Sequence, residues 1–160
     1  MRIIKAKQLS KDEFEKYGSY TDVTSPNGYG LGDFYPDRVG FPVSGEMALG
    51  ISALKSERIE PMRVTKAEYH NKTSEGICCL NDDVVIHVAP ASDVPVPELT
   101  EAFYVPKGTF IRLNPGVWHL AALPVHEAEA QVMILLPERT YVNDCIVVEY
   151  KEEDWIEIQL

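Results

Sequence analysis

The stretch Gly76-Ile77-Cys78-Cys79-Leu80-Asn81-Asp82-Asp83-Val84-Val85-Ile86-His87-Val88-Ala89 is where the fold can be read most directly. Two short runs rich in Ile, Val, Leu and Cys, Gly76–Leu80 and Val84–Ala89, flank an Asn-Asp-Asp break of the kind that turns a chain. The pattern continues outward. Ala102–Val105 and Thr109–Leu113 flank Pro106-Lys107-Gly108, and Asn114-Pro115-Gly116 separates the latter from Val117–Leu123. Further strand-like runs are Glu46–Leu54, Met62–His70, Ala130–Leu136 and Cys145–Tyr150. Many short strands without a long amphipathic helix indicate an all-β antiparallel sandwich or barrel.

The N-terminal part reads differently. Ser10 and Glu13 have the S-x-x-E spacing of a capping box, and Gly18 is a natural stop, which predicts one short helix with Phe14 and Tyr17 on a common face. From Thr21 to Ser44 the chain is rich in Gly, Pro, Ser and Asp, interleaved with Tyr29, Phe34, Tyr35 and Phe41. It reads as an ordered arm, its aromatics burying at a cavity mouth or a subunit contact, or as a packed surface loop. Pro90–Pro97 is a loop within the barrel. The expected organisation is one domain, with residues 1–45 forming the helix and arm and residues 46–160 the β-barrel.

A chain of 160 residues with 45% hydrophobic and 25% charged residues has globular composition. Lys and Arg number 15 against 25 Asp and Glu, giving 15 − 25 = −10. That balance speaks against nucleic acid or an anionic membrane as partner, since each needs a basic patch. It leaves an anionic small molecule open, because such binding is decided locally. The three cysteines, Cys78, Cys79 and Cys145, include an adjacent pair and make a poor disulfide framework, so reduced thiols in a cytoplasmic protein are expected. The opening MRIIKAKQL lacks the apolar core of a signal peptide, and no window approaches the ~18 apolar residues of a membrane span.

Chemistry concentrates around two of the four histidines. In Glu68-Tyr69-His70-Asn71-Lys72-Thr73-Ser74-Glu75, strand alternation projects Glu68 and His70 to one side. After a bend, Glu75 can return to the same point from the next strand. In Gly108-Thr-Phe-Ile-Arg-Leu-Asn-Pro-Gly-Val-Trp-His119, the Asn-Pro-Gly turn delivers His119 at the start of a strand. His87 and His126 read as ordinary core or surface residues.

These spacings resemble the two motifs of the cupin superfamily, H-x-H-x4-E and G-x5-P-x-G-x2-H. Glu68 stands at the first histidine, His70 at the second and Glu75 at the glutamate; His119 takes the second motif's histidine, with Gly108 and Gly116 in register. Pro115 is displaced by one position, and Asp82 stands where a glycine closes the first motif. The resemblance implies a double-stranded β-helix, or jelly-roll barrel, holding a divalent metal ion through Glu68, His70, Glu75 and His119. Ni, Mn, Zn, Fe and Co all suit two imidazoles and two carboxylates.

The elements Ser10–Gly18, Glu68–His70, Ala102–Gly108 and Val117–His119, in this order, further resemble the ureidoglycolate lyase family. That likeness implies a homodimeric cupin splitting ureidoglycolate into glyoxylate and urea. For such a reaction Lys66, two residues before Glu68 and so on its face, is either an anchor for the substrate carboxylate or a solvated strand-end lysine. Arg112 is a further anchor unless it faces outward, and Tyr104 is a proton donor or a core residue. Leu120 stands where the family has a second histidine, and the position of Glu75 is often an amide there, which leaves open another α-hydroxy or α-keto acid. The alternatives are a metal-dependent isomerase or epimerase of a sugar or sugar acid, and a non-catalytic cupin that binds a small acid.

Overall fold

The computed structural model describes residues 1–160, and they are built mostly of strands. These are β1 (Arg2–Gln8), β2 (Gly18–Asp22), β3 (Leu49–Glu57), β4 (Arg63–Val64), β5 (Lys66–Tyr69), β6 (Glu75–Cys79) and β7 (Val84–Ala89). They continue with β8 (Glu101–Val105), β9 (Thr109–Leu113), β10 (Trp118–His119), β11 (Leu123–Pro124), β12 (Glu129–Pro137), β13 (Ile146–Glu149) and β14 (Ile156–Gln159). Two four-residue helices, α1 (Lys11–Phe14) and α2 (Thr140–Asn143), complete the regular structure with two single 3-10 turns.

The pairing is nested. β7 pairs with β8, β6 with β9, β5 with β10 and β3 with β12, every pair antiparallel. The chain is thus one long double strand folded over on itself. Its successive segments alternate between a nine-stranded sheet, which holds β5, β7, β8 and β10, and a five-stranded sheet, which holds β3, β6, β9 and β12. Such winding is the jelly roll, or double-stranded β-helix, as the sequence led us to expect.

Two cores explain why β7 has no polar alternation. Val84, Ile86 and Val88 enter the space between the sheets with Phe14, Phe103, Ile111 and Leu113. Val85 and Ala89 point the other way, into a second core with Trp118, Ile156 and Ile158. A strand buried on both faces reads as a continuous apolar run, and each Val or Ile so buried contributes about 1.5–3 kcal/mol.

The expected short helix forms as α1, with Phe14 and Tyr17 both in the central core, but the segments flanking it differ from expectation. Arg2–Gln8 and Gly18–Asp22 are sheet strands: β1 runs parallel to β14 and then to β8, and β2 pairs with β9. The barrel therefore recruits residues from the segment expected as helix and arm. The capping box does not form, since Ser10 makes no side-chain cap and Glu13 instead holds Lys7 at 2.6 Å. Gly18 is no helix stop; it opens β2 against β9, where a Cβ would lie 1.9 Å from the Arg112 carbonyl oxygen. Of the arm's aromatics, Tyr29 and Phe34 are 71% and 64% exposed, and Tyr35 and Phe41 are half-buried.

Candidate metal centre

On β5, Ala67 and Tyr69 pack into the second core, Tyr69 lying 4.5 Å from the Trp118 ring. Alternation therefore turns Lys66, Glu68 and the following His70 toward the space between the sheets. β10 sets His119 directly opposite Glu68 on one side and Val88 on the other, which gives it the same facing. Glu75 begins β6 in phase with Ile77 and Cys79 of the central core, so its carboxylate arrives from the facing sheet. The Asn114-Pro115-Gly116 turn fixes the relation of the two motifs. Gly116, at φ +79, donates its N–H to the His70 carbonyl at 2.6 Å.

The ligand-type atoms of Glu68, His70 and His119 all lie within 4.8 Å of one another. Glu75 stands beneath them, its Oε2 being 2.9 Å from Nε2 of both His70 and His119. His70, Glu75 and His119 are buried and Glu68 is half-buried. Of the expected quartet, three form the close cluster and the fourth touches both imidazoles.

Hydrogen bonding fixes the imidazoles. His70 Nδ1 lies 2.7 Å from the Asp144 carbonyl oxygen and His119 Nδ1 lies 2.8 Å from that of Val117. A carbonyl only accepts, so each Nδ1 carries hydrogen and each neutral ring presents its Nε2 lone pair inward. Backbone carbonyls orient metal-binding histidines in this way. Without a cation, each Nε2 can face the Glu75 carboxylate only by carrying a proton too. Burial pushes both imidazoles down in pKa, but the Glu75 charge and hydrogen bonds outweigh it and hold them above the usual value. Burial pushes Glu75 up, and the His119 and His70 contacts more than reverse it. A divalent cation would satisfy the same carboxylates and lone pairs, so the donor set fits one.

The remaining expected site residues separate. Lys66 shares the inward phase of Glu68 on β5. Tyr104 does not reach the centre: it stands opposite Val85, packs with the second core and donates its hydroxyl to Asp83 at 2.5 Å. Arg112 is out of phase with the buried Ile111 and Leu113, so it lies on the outer face of the five-stranded sheet, bonding Ser19 at 3.2 Å and Asn114 at 3.1 Å. Neither contacts the cluster of Glu68, His70 and His119. His87 is in the core, and burial, with the His119 charge, depresses it to about 3. His126 lies exposed, 3.6 Å from Asp83.

Asp82, standing at the motif's glycine, accepts three backbone N–H groups, from Val125, His126 and Glu127, at 2.9–3.0 Å. Sequence reading missed Asp144 and Cys145, which touch His70 and Glu68 from far along the chain. No local motif marks them.

Residues 1–157 match the family model described as ureidoglycolate lyase. Proteins named ureidoglycolate lyase from Pseudomonas aeruginosa (strain LESB58) and Pseudomonas paraeruginosa (strain DSM 24068 / PA7) are each 27% identical over 136 residues, covering 81% of this chain and 80% of theirs. A solved structure of RmlC from Streptococcus suis in complex with dTDP-D-xylose overlays with a TM-score of 0.40 at 11% identity, covering 56% of this chain and 44% of that one. With the family model spanning nearly the whole sequence, and a barrel bearing the paired motifs, this chain belongs to the ureidoglycolate lyase family.

Proposed function

We propose that the chain cleaves ureidoglycolate to glyoxylate and urea at a divalent-metal centre held by Glu68, His70, His119 and Glu75. The convergence of three ligand-type side chains within 4.8 Å, with both imidazoles oriented by carbonyls, is the observation that carries this reading. It is joined by membership of a family of lyases.

When bound, the cation supplies Lewis acidity, lowering the pKa of the substrate's α-hydroxyl and stabilising the developing oxyanion. The chain's own residues do the rest. Lys66, one step along the inward face of β5 from Glu68, anchors the substrate carboxylate. The buried walls around His119 and Glu75 keep water from the reacting carbon. The hydroxyl proton leaves, the C–N bond breaks as the C=O of glyoxylate forms, and a proton ends on the departing nitrogen to give urea.

No helix is long and apolar enough to cross a membrane. The three free thiols suit a reducing cytoplasm. A homodimer would cover the outer face of the five-stranded sheet. There the edge strand β3 leaves Ile51 73% and Leu49 40% exposed, and a bare apolar edge invites uncontrolled pairing.

The test is His119→Ala. The variant is expected to keep its circular dichroism spectrum, lose bound metal by elemental analysis and release no glyoxylate from ureidoglycolate. Full turnover by metal-depleted protein would remove the metal from the mechanism. Absence of glyoxylate release by metal-loaded wild type would remove the substrate.

A further inference from the structure

We propose that Cys145 is a positioning residue for the metal centre, its S–H holding the Glu68 carboxylate toward His70 and His119; this rests on the metal reading above. Glu68 is half-buried on β5, and the hydrogen bond it accepts is from Cys145 Sγ at 3.3 Å. Cys145 is not among the three side chains whose ligand-type atoms lie within 4.8 Å of one another, and its sulfur contacts the Glu68 carboxylate at 3.3 Å.

The residue before it reinforces the arrangement. The Asp144 carbonyl accepts from His70 Nδ1 at 2.7 Å, and its carboxylate accepts the backbone N–H groups of Asn71 at 3.1 Å and Lys72 at 2.7 Å. The dipeptide Asp144-Cys145, between α2 and β13, therefore clasps Glu68, His70 and the start of the loop that leads to Glu75. Pairing of β13 with β5, with Val147 opposite Glu68, keeps the clasp in register. A thiol is a weak donor, but here it acts on a carboxylate whose direction decides whether three donor atoms converge. Outer partners of metal ligands typically change affinity by about 10–100-fold when removed.

Cobalt(II) titration of metal-free wild type, Cys145→Ala and Cys145→Ser tests this. Cys145→Ala is expected to bind Co(II) about 10–100-fold more weakly, and Cys145→Ser, which restores a donor, to recover most of the loss. The wild-type cobalt spectrum is expected to lack the intense near-ultraviolet band of a thiolate ligand. Wild-type affinity in Cys145→Ala would overturn the proposal, and so would a thiolate band, because Cys145 would then be a ligand. A second measurement needs no metal. Alkylation of Cys145 by iodoacetamide, followed by mass spectrometry, is expected to accelerate several-fold in Glu68→Ala, which removes the acceptor. If wild type binds no cobalt, the metal reading fails by itself. The alkylation rate then decides this contact, and an unchanged rate in Glu68→Ala overturns it.

Discussion

His87 gives the sharpest test of the packing because its titration is carried by burial. It lies on β7 opposite Ala102, 2% exposed, on the face that joins the second core, and its imidazole is depressed from 6.5 to about 3. The folded protein therefore keeps it neutral at pH values where the unfolded chain already binds the proton. A depressed histidine contributes no penalty above 6.5 and an increasing one as pH falls toward the folded value. Each unit in that window costs about 1.4 kcal/mol once the unfolded group is protonated, so about 2 kcal/mol is lost between pH 7 and pH 5. For a domain of this size that corresponds to about 4–8 °C in Tm. His87→Leu removes the proton acceptor and should flatten this component. Urea unfolding followed by Trp fluorescence at both pH values, wild type against variant, isolates it from the carboxylates, which titrate equally in both. A wild-type-minus-variant stability difference that stays constant from pH 7 to pH 5 would refute the burial argument.

The other expectations are briefer. In chelator, His70 and His119, raised above 6.5, contribute stability below that value and lose it as pH rises through their folded values, so Tm should decline as pH rises above about 6.5. Added divalent cation should reverse that trend, its stabilisation growing with pH because it competes with protons for Nε2; scanning calorimetry across the range checks both. Tyr104→Phe and Arg112→Met should leave kcat for glyoxylate release unchanged, each losing about 1 kcal/mol of stability per hydrogen bond removed, one for Tyr104 and two for Arg112. Gly18→Ala should cost about 3 kcal/mol or more, because backbone rather than a flexible side chain lies 1.9 Å from the new Cβ, and chemical denaturation will read it. Lys66→Met should raise KM for ureidoglycolate, measured by steady-state glyoxylate release, without lowering Tm.

The stretch from β6 to β10 was legible because its strands are bounded by Asn, Asp, Pro and Gly, and because β7 is apolar on both faces. Glu68 and His70 were legible as an i, i+2 pair, and His119 as the residue after a fixed turn. Facing was harder to read. Tyr104 and Arg112 sit on strands whose neighbours are buried on one or both sides, so composition did not reveal which phase points inward. Only the register, Tyr104 against Val85 and Arg112 against Gly76, decides it. β1 and β14 intersperse charges with short apolar residues, and their strand character comes from parallel pairing between the two chain ends. The contacts of Asp144 and Cys145 arise from barrel closure across 74 and 77 positions, a separation at which sequence carries no local signal.

The distribution of exposure around the centre bears on how so acidic a chain could admit an anion. His119, His70 and Glu75 are 3%, 5% and 6% exposed, whereas Glu68 is half-buried, so the approach lies on the side of β5 and β13. Lys66 shares that inward face, and Val147, 49% exposed, stands opposite Glu68. With a dication bound, the Glu68 and Glu75 charges are cancelled locally and the formal count moves from −10 to −10 + 2 = −8. The remaining negative charges sit mostly on the surface, where salt screens them beyond about 8 Å. On the approach side Lys66 of β5 stands opposite Glu149 of β13, one charge of each sign. With a cation bound, a small carboxylate entering there would meet a neutralised centre beside the Lys66–Glu149 pair, whereas a polyanion spread across the surface meets the acidic excess as a whole.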